Sequence, residues 1–149
     1  MLRRTFLSLS LALAAFPATA AAPLAEMSVF KSPTCGCCSA WVDHMREADF
    51  EITVQDVDQD KLYRLKERLG LAPEHWSCHT AFVGRYFVEG HVPASDVKHL
   101  LLTQPDVRGL TVPGMPIGSP GMEMGDKREP YDTFSIRMDG APEVFSRHR

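Results

Sequence analysis

The 149-residue sequence lacks an apolar run long enough to cross a bilayer: its longest, residues 6–16, is about a dozen residues against the roughly 20 required. No stable membrane span is expected. A basic patch is also missing. Asp and Glu outnumber Lys and Arg by 19 to 16, for a formal charge of -3, which argues against nucleic acid as a partner. No internal repeat is present, which excludes a solenoid. A disulfide framework is missing as well. There are only 4 cysteines, and Cys35, Cys37 and Cys38 are such near neighbours that two intramolecular bridges would force one of them into cramped geometry. A chain of this length can bury an ordinary core without covalent help, which leaves the cysteines available for chemistry.

The chain begins with Arg3 and Arg4, then the apolar stretch, then the small residues Ala18-Thr19-Ala20. That order is the order of a signal peptide, with cleavage expected after Ala20. Arg3-Arg4-Thr5-Phe6-Leu7 is also similar to the twin-arginine export signal, and either route leads out of the cytoplasm. The expected organisation is a signal peptide over 1–20 and one domain over 21–149. Removing Arg3 and Arg4 and no acid moves the charge from -3 to -5.

In the domain, residues 27–30 read as a short apolar strand. A helix follows the cysteines, because Cys38, Trp41, Val42 and Met45 recur at the spacing of a buried stripe, with Thr34 as the expected N-cap. Phe50, Ile52 and Val54 alternate as a half-buried strand. A second helix presents Leu62, Leu65 and Leu69 on its apolar face, and Gly70 ends it. Residues 80–88 read as a hairpin about Gly84-Arg85. A third helix, expected from Ser95, turns Val97, Leu100 and Leu101 inward and stops before Pro105. Residues 111–125 are too rich in Gly and Pro for regular structure. Strands near 133–138 and 143–146 close the domain around Asp139-Gly140. The order of elements predicts an α/β fold, a thioredoxin-like mixed sheet with flanking helices, plus a Gly/Pro/Met-rich loop insertion and a C-terminal hairpin.

In such a fold the cysteine cluster opens the first helix, where backbone N–H groups and the helix dipole favour thiolates. Cys78-His79, in the loop entering a central strand, approaches the same helix end. Four sulfurs are thus expected to converge as a site for a soft metal: copper(I), zinc or an iron–sulfur cluster. Met115, Met122 and Met124, on the flexible loop, favour copper(I), since thioethers suit it and are not usual zinc ligands; their alternative use is to cover an apolar patch. His79 is the leading histidine ligand, with His44 and His75 behind it, and His91, His99 and His148 are left unassigned.

Thr34-Cys35-Gly36-Cys37-Cys38 opening a helix, Cys78-His79 before a strand, and the run Gly114-Met115-Pro116-Ile117-Gly118-Ser119-Pro120-Gly121-Met122-Glu123 together resemble the CopG family of exported copper-resistance proteins. The resemblance covers nearly the whole mature chain. It implies a periplasmic thioredoxin-like domain that binds copper(I) through Cys35, Cys37, Cys38 and Cys78, as a multinuclear cluster with a role in interconverting copper oxidation states. Thiolate bridging gives this a physical reason, since adjacent Cys37 and Cys38 fit one simple chelate awkwardly. Other periplasmic copper-resistance proteins are the partners it implies.

Two other readings stay open. A thiol-disulfide oxidoreductase would use Cys35 and Cys38 as a C-x-x-C pair with Cys35 attacking. The intervening Cys37 counts against it, as does Cys78-His79 at a loop where such enzymes usually carry a cis-proline. A structural zinc site from Cys35, Cys38, Cys78 and His79 would leave the methionine loop without a purpose. One bridge with two leftover thiols is the remaining arrangement of the cysteines.

Overall fold

The computed structural model describes residues 24–149, so the expected signal segment over 1–20 lies outside the described residues. Strand β1 (Ala25–Lys31) pairs in parallel with β2 (Phe50–Asp56), and helix α1 (Gly36–Glu47) connects them. Helix α2 (Gln59–Arg68) and a short 3-10 turn (Pro73–His75) lead to β3 (His79–Val83), which is antiparallel to both β1 and β4 (Tyr86–Glu89). Helix α3 (Ala94–Thr103) crosses to β5 (Val107–Thr111), parallel to β4; β6 (Tyr131–Arg137) and β7 (Pro142–His148) follow as an antiparallel hairpin. The strands form one seven-stranded mixed sheet in the order β2-β1-β3-β4-β5-β6-β7. Each parallel pair is joined through a helix, as parallel pairing requires.

Side-chain alternation along the strands divides the core in two. Ala81 and Val83 of β3 and Val88 of β4 face a large cluster with Met27, Val29, Leu110, Trp41, Val42 and Met45 of α1, and Val97 and Leu100 of α3. Phe87 turns to the other face, with Leu71 and Ile136, against the partly buried Leu69, Trp76 and Phe82. Trp41, Met45 and Leu100 are fully buried, and each such side chain contributes about 2 kcal/mol by leaving water. Cys38 lies on the same buried stripe of α1, so the apolar core holds the helix end that carries the cysteines.

The expected α/β mixed sheet is present, with four corrections in detail. The N-cap of α1 is Cys35, whose sulfur accepts from the Cys38 N–H at 3.3 Å, while the Thr34 hydroxyl pairs with Ser32 instead. Helix α3 starts at Ala94, after Pro93, whose fixed φ suits a helix start. The buried positions of α2 are Leu62 and Lys66, so its inner face is not purely apolar. Strand β5 is an addition: Arg108 and Gly109 interrupt any strand pattern in the sequence. Gly109 is there because a Cβ would sit 2.1 Å from the Phe87 carbonyl oxygen on the neighbouring strand.

Candidate metal centre

The start of α1 and the turn before β3 meet at one end of the sheet, because β1 and β3 are direct neighbours in register, with Lys31 opposite His79. The Sγ atoms of Cys35, Cys37, Cys38 and Cys78 all lie within 4.8 Å of one another. Cys35 and Cys38 form a disulfide, with Cα atoms 5.3 Å apart, while Cys37 and Cys78 are free. The Cys37 sulfur is 3.5 Å from that of Cys35 and 3.9 Å from that of Cys78. This is the one-bridge arrangement the spacing left open. Its reduction returns four thiols to the same small volume.

A second donor set shares Cys78 with His79 and His91. The Cys78 sulfur is 3.0 Å from His91 Nε2 and 3.5 Å from His79 Nδ1. His91 Nδ1 lies 2.8 Å from the carbonyl oxygen of Pro120, which can only accept, so Nδ1 carries the proton. Nε2 is then left with its lone pair towards Cys78, the arrangement by which a backbone carbonyl orients a metal-binding imidazole. His79 is fully buried, its ring 4.4 Å from that of Trp41 and 5.2 Å from that of His91. Among the described residues its Nε2 has no hydrogen-bond partner. Burial holds both imidazoles below their usual range, so they are neutral, the form that donates a lone pair to a metal.

The expectation of helix-stabilised thiolates applies to the cysteines that open α1, and Cys78 is not one of them. It lies off the helix, and burial first, then the neighbouring Cys37, pushes its thiol up to about 12. A thiol of that kind stays protonated in water and ionises when a metal ion takes the proton's place. Soft sulfurs with neutral imidazoles make a donor set suited to copper(I) or zinc.

The methionine loop reaches the same end of α1. A Cβ on Gly121 would lie 2.7 Å from the Cys37 carbonyl oxygen and from the Trp41 nitrogen, and φ is +83°, so only glycine lets the loop settle there. The loop is tied again where the Ser77 hydroxyl donates to the Gly114 carbonyl at 2.5 Å. Met115 and Met124 are exposed and Met122 is half-buried. The other sequence candidates lie outside both donor sets. His44 Nε2 accepts the Ala94 N–H at 3.2 Å, and the His75 ring is 6.2 Å from that of Phe134. His148 bonds Asp96, and His99 meets Phe145. His91 is the residue that sequence reasoning left out. No motif surrounds it, and only the pairing of β3 with β4 brings it beneath Cys78.

Residues 75–122 match the family described as a protein of unknown function, DUF411, a span that holds Cys78, His79, His91 and most of the loop. Among solved structures, copper resistance protein CopG in its form 2 has a TM-score of 0.77 and 38% identity to the chain, over 85% of this chain and 99% of that one. Its form 1 gives a TM-score of 0.76 and 38% identity, over 83% and 97%. The chain belongs to the CopG family. No curated protein matches the chain. Among the described residues no helix is long and apolar enough to cross a membrane.

Proposed function

We propose that the protein is exported to the periplasm by the segment 1–20 and that its domain over 21–149 binds copper(I) in copper resistance. Copper is its cargo. The ligands are the thiolates of Cys35, Cys37, Cys38 and Cys78, bridging several ions, with His79 and His91 and the thioethers of Met115, Met122 and Met124 completing the shell. The observation that carries this reading is the convergence of four sulfurs within 4.8 Å. The names of its structural relatives, copper resistance protein CopG, support it. A dithiol reductant opens the Cys35–Cys38 disulfide by thiol–disulfide exchange and leaves as its own disulfide, and copper(I) then displaces the thiol protons. A copper redox role belongs to the same reading: closing the disulfide releases two electrons, the number that reduces two copper(II) ions to copper(I). Its partners are other periplasmic copper-resistance proteins.

A second reading, thiol-disulfide exchange by Cys35 and Cys38, is favoured by the disulfide at the N-terminus of α1. Anaerobic copper(I) titration of the reduced protein with thiol counting separates the two. The copper reading expects more than one copper per chain with all four thiols protected. No bound copper, together with a readily reducible Cys35–Cys38 bridge, would establish the exchange reading in its place.

A further inference from the structure

Behind the cysteines lies a charged network that the copper reading leaves unused. Lys66 of α2 and Glu89 at the end of β4 are both fully buried, with Lys66 Nζ 2.5 Å from Glu89 Oε1. Lys66 Nζ also donates to the Thr80 hydroxyl at 2.9 Å, and that hydroxyl donates to Glu89 Oε2 at 2.6 Å, closing a triangle. One further donor reaches the carboxylate: the backbone N–H of Ser77, 2.6 Å from Oε1. Ser77 is the residue before Cys78. Isolating such a pair from water is costly, and an apolar pair of similar volume usually serves stability as well or better. Stability alone therefore does not account for it.

The neighbours of Glu89 hold the same turn. Gly90, at φ +72°, is so close to Ser77 that a Cβ would meet its side chain at 2.4 Å, and the Gly90 N–H donates to the His79 carbonyl at 3.0 Å. His91 meets the Cys78 sulfur itself. Glu89 and Gly90 thus hold Ser77, Gly90 also holds His79, and His91 meets Cys78 between them, while Lys66 fixes the Glu89 carboxylate from α2.

We propose that Lys66 and Glu89 are positioning residues for the metal centre, holding the Ser77–Cys78 turn so that the Cys78 sulfur stays opposite Cys37. The copper consequence rests on the function proposed above; the positioning itself does not. Neither residue touches the metal. A carboxylate is suited to this task because it accepts from three donors at once; burial pushes the Glu89 carboxyl above its usual range, and Lys66 with the Thr80 and Ser77 hydrogen bonds opposes that shift.

The test is the double variant Lys66→Met with Glu89→Leu, which removes both charges together and leaves neither one uncompensated. It is expected to fold cooperatively, with a melting temperature somewhat below wild type because the Ser77 N–H and the Thr80 hydroxyl lose their acceptor. In the reduced, metal-free protein Cys78 is expected to react several-fold faster with iodoacetamide while Cys37 keeps its rate, and copper(I) affinity, read by chelator competition, is expected to fall by about tenfold. A folded double variant with wild-type Cys78 reactivity would overturn the proposal. If the wild type binds no copper(I), the copper reading falls, and the alkylation comparison still decides the positioning. Amide exchange in the wild type decides it independently of any variant: the Ser77 N–H, bonded to a buried carboxylate, should be strongly protected and shifted downfield. Exchange at the rate of an open loop would remove the anchor.

Discussion

The Cys78 sulfur lies 3.0 Å from Nε2 of His91, a residue 13 positions further along the chain. The contact exists because β3 and β4 pair antiparallel, with Thr80 opposite Glu89, so that the residues just outside the pairing face each other. Since Pro120 fixes the proton on Nδ1, the His91 lone pair faces the Cys78 sulfur and the proposed metal site. His91→Phe keeps an aromatic ring, somewhat larger, and removes both nitrogens. It should weaken copper(I) binding by about tenfold, measured by chelator competition with the melting temperature as control. Unchanged affinity and copper number would exclude His91 as a ligand.

Cys37 is the sulfur that separates a cluster from a dithiol. It stands 3.5 Å from Cys35 and 3.9 Å from Cys78, outside the disulfide. Cys37→Ser should lower the number of copper ions bound per chain while the Cys35–Cys38 bridge still forms and reduces normally. Metal analysis showing the wild-type copper number would defeat the bridged cluster.

Gly121 seats the methionine loop on α1, with φ +83° and no room for a Cβ beside Cys37 and Trp41. Gly121→Ala should cost about 2 kcal/mol or more in denaturant unfolding, from the strained φ and the displaced loop. Replacing Met115, Met122 and Met124 together by leucine tests the thioethers without disturbing that seat. Faster copper exchange or lower affinity is the expected result, and no change in either would restrict the loop to covering the site.

His44 ties α1 to the start of α3. Its Nε2 accepts the Ala94 N–H, a helix-start donor with no intrahelical partner, and only the neutral ring can do so. Burial lowers the His44 pKa from 6.5, while Glu123 and Glu47 oppose the shift. The unfolded chain therefore takes up the proton more readily than the folded one. The contribution to stability is present above pH 6.5 and is lost as the pH falls below it. Between about pH 7.5 and about pH 5.5, the melting temperature of wild type should drop more than that of His44→Gln, whose amide oxygen accepts at either pH. Parallel curves would show that the bond carries no pH-dependent stability.

The stripe Cys38, Trp41, Val42 and Met45 and the hairpin at Gly84-Arg85 were legible in the sequence because helical and strand periodicity, and turn chemistry, act between near neighbours. The crowding of Cys35, Cys37 and Cys38 at a helix start was legible for the same reason, and so was the irregular loop from its Gly and Pro. Strand β5 was not, since Gly109 makes sense only beside the Phe87 carbonyl of another strand. The burial of Lys66 was also hidden, because a lysine at that position looks solvent-facing until Glu89, 23 residues away, arrives to pair with it. The neutral state of Cys78 and the lone pair of His91 towards it depend on burial and on Pro120, neither of which is a property of local sequence. By itself the sequence determined the elements other than β5, the soft-donor residue types and the family resemblance. The sheet order decided which of those donors meet, because contacts between residues far apart in the chain exist only once strands pair.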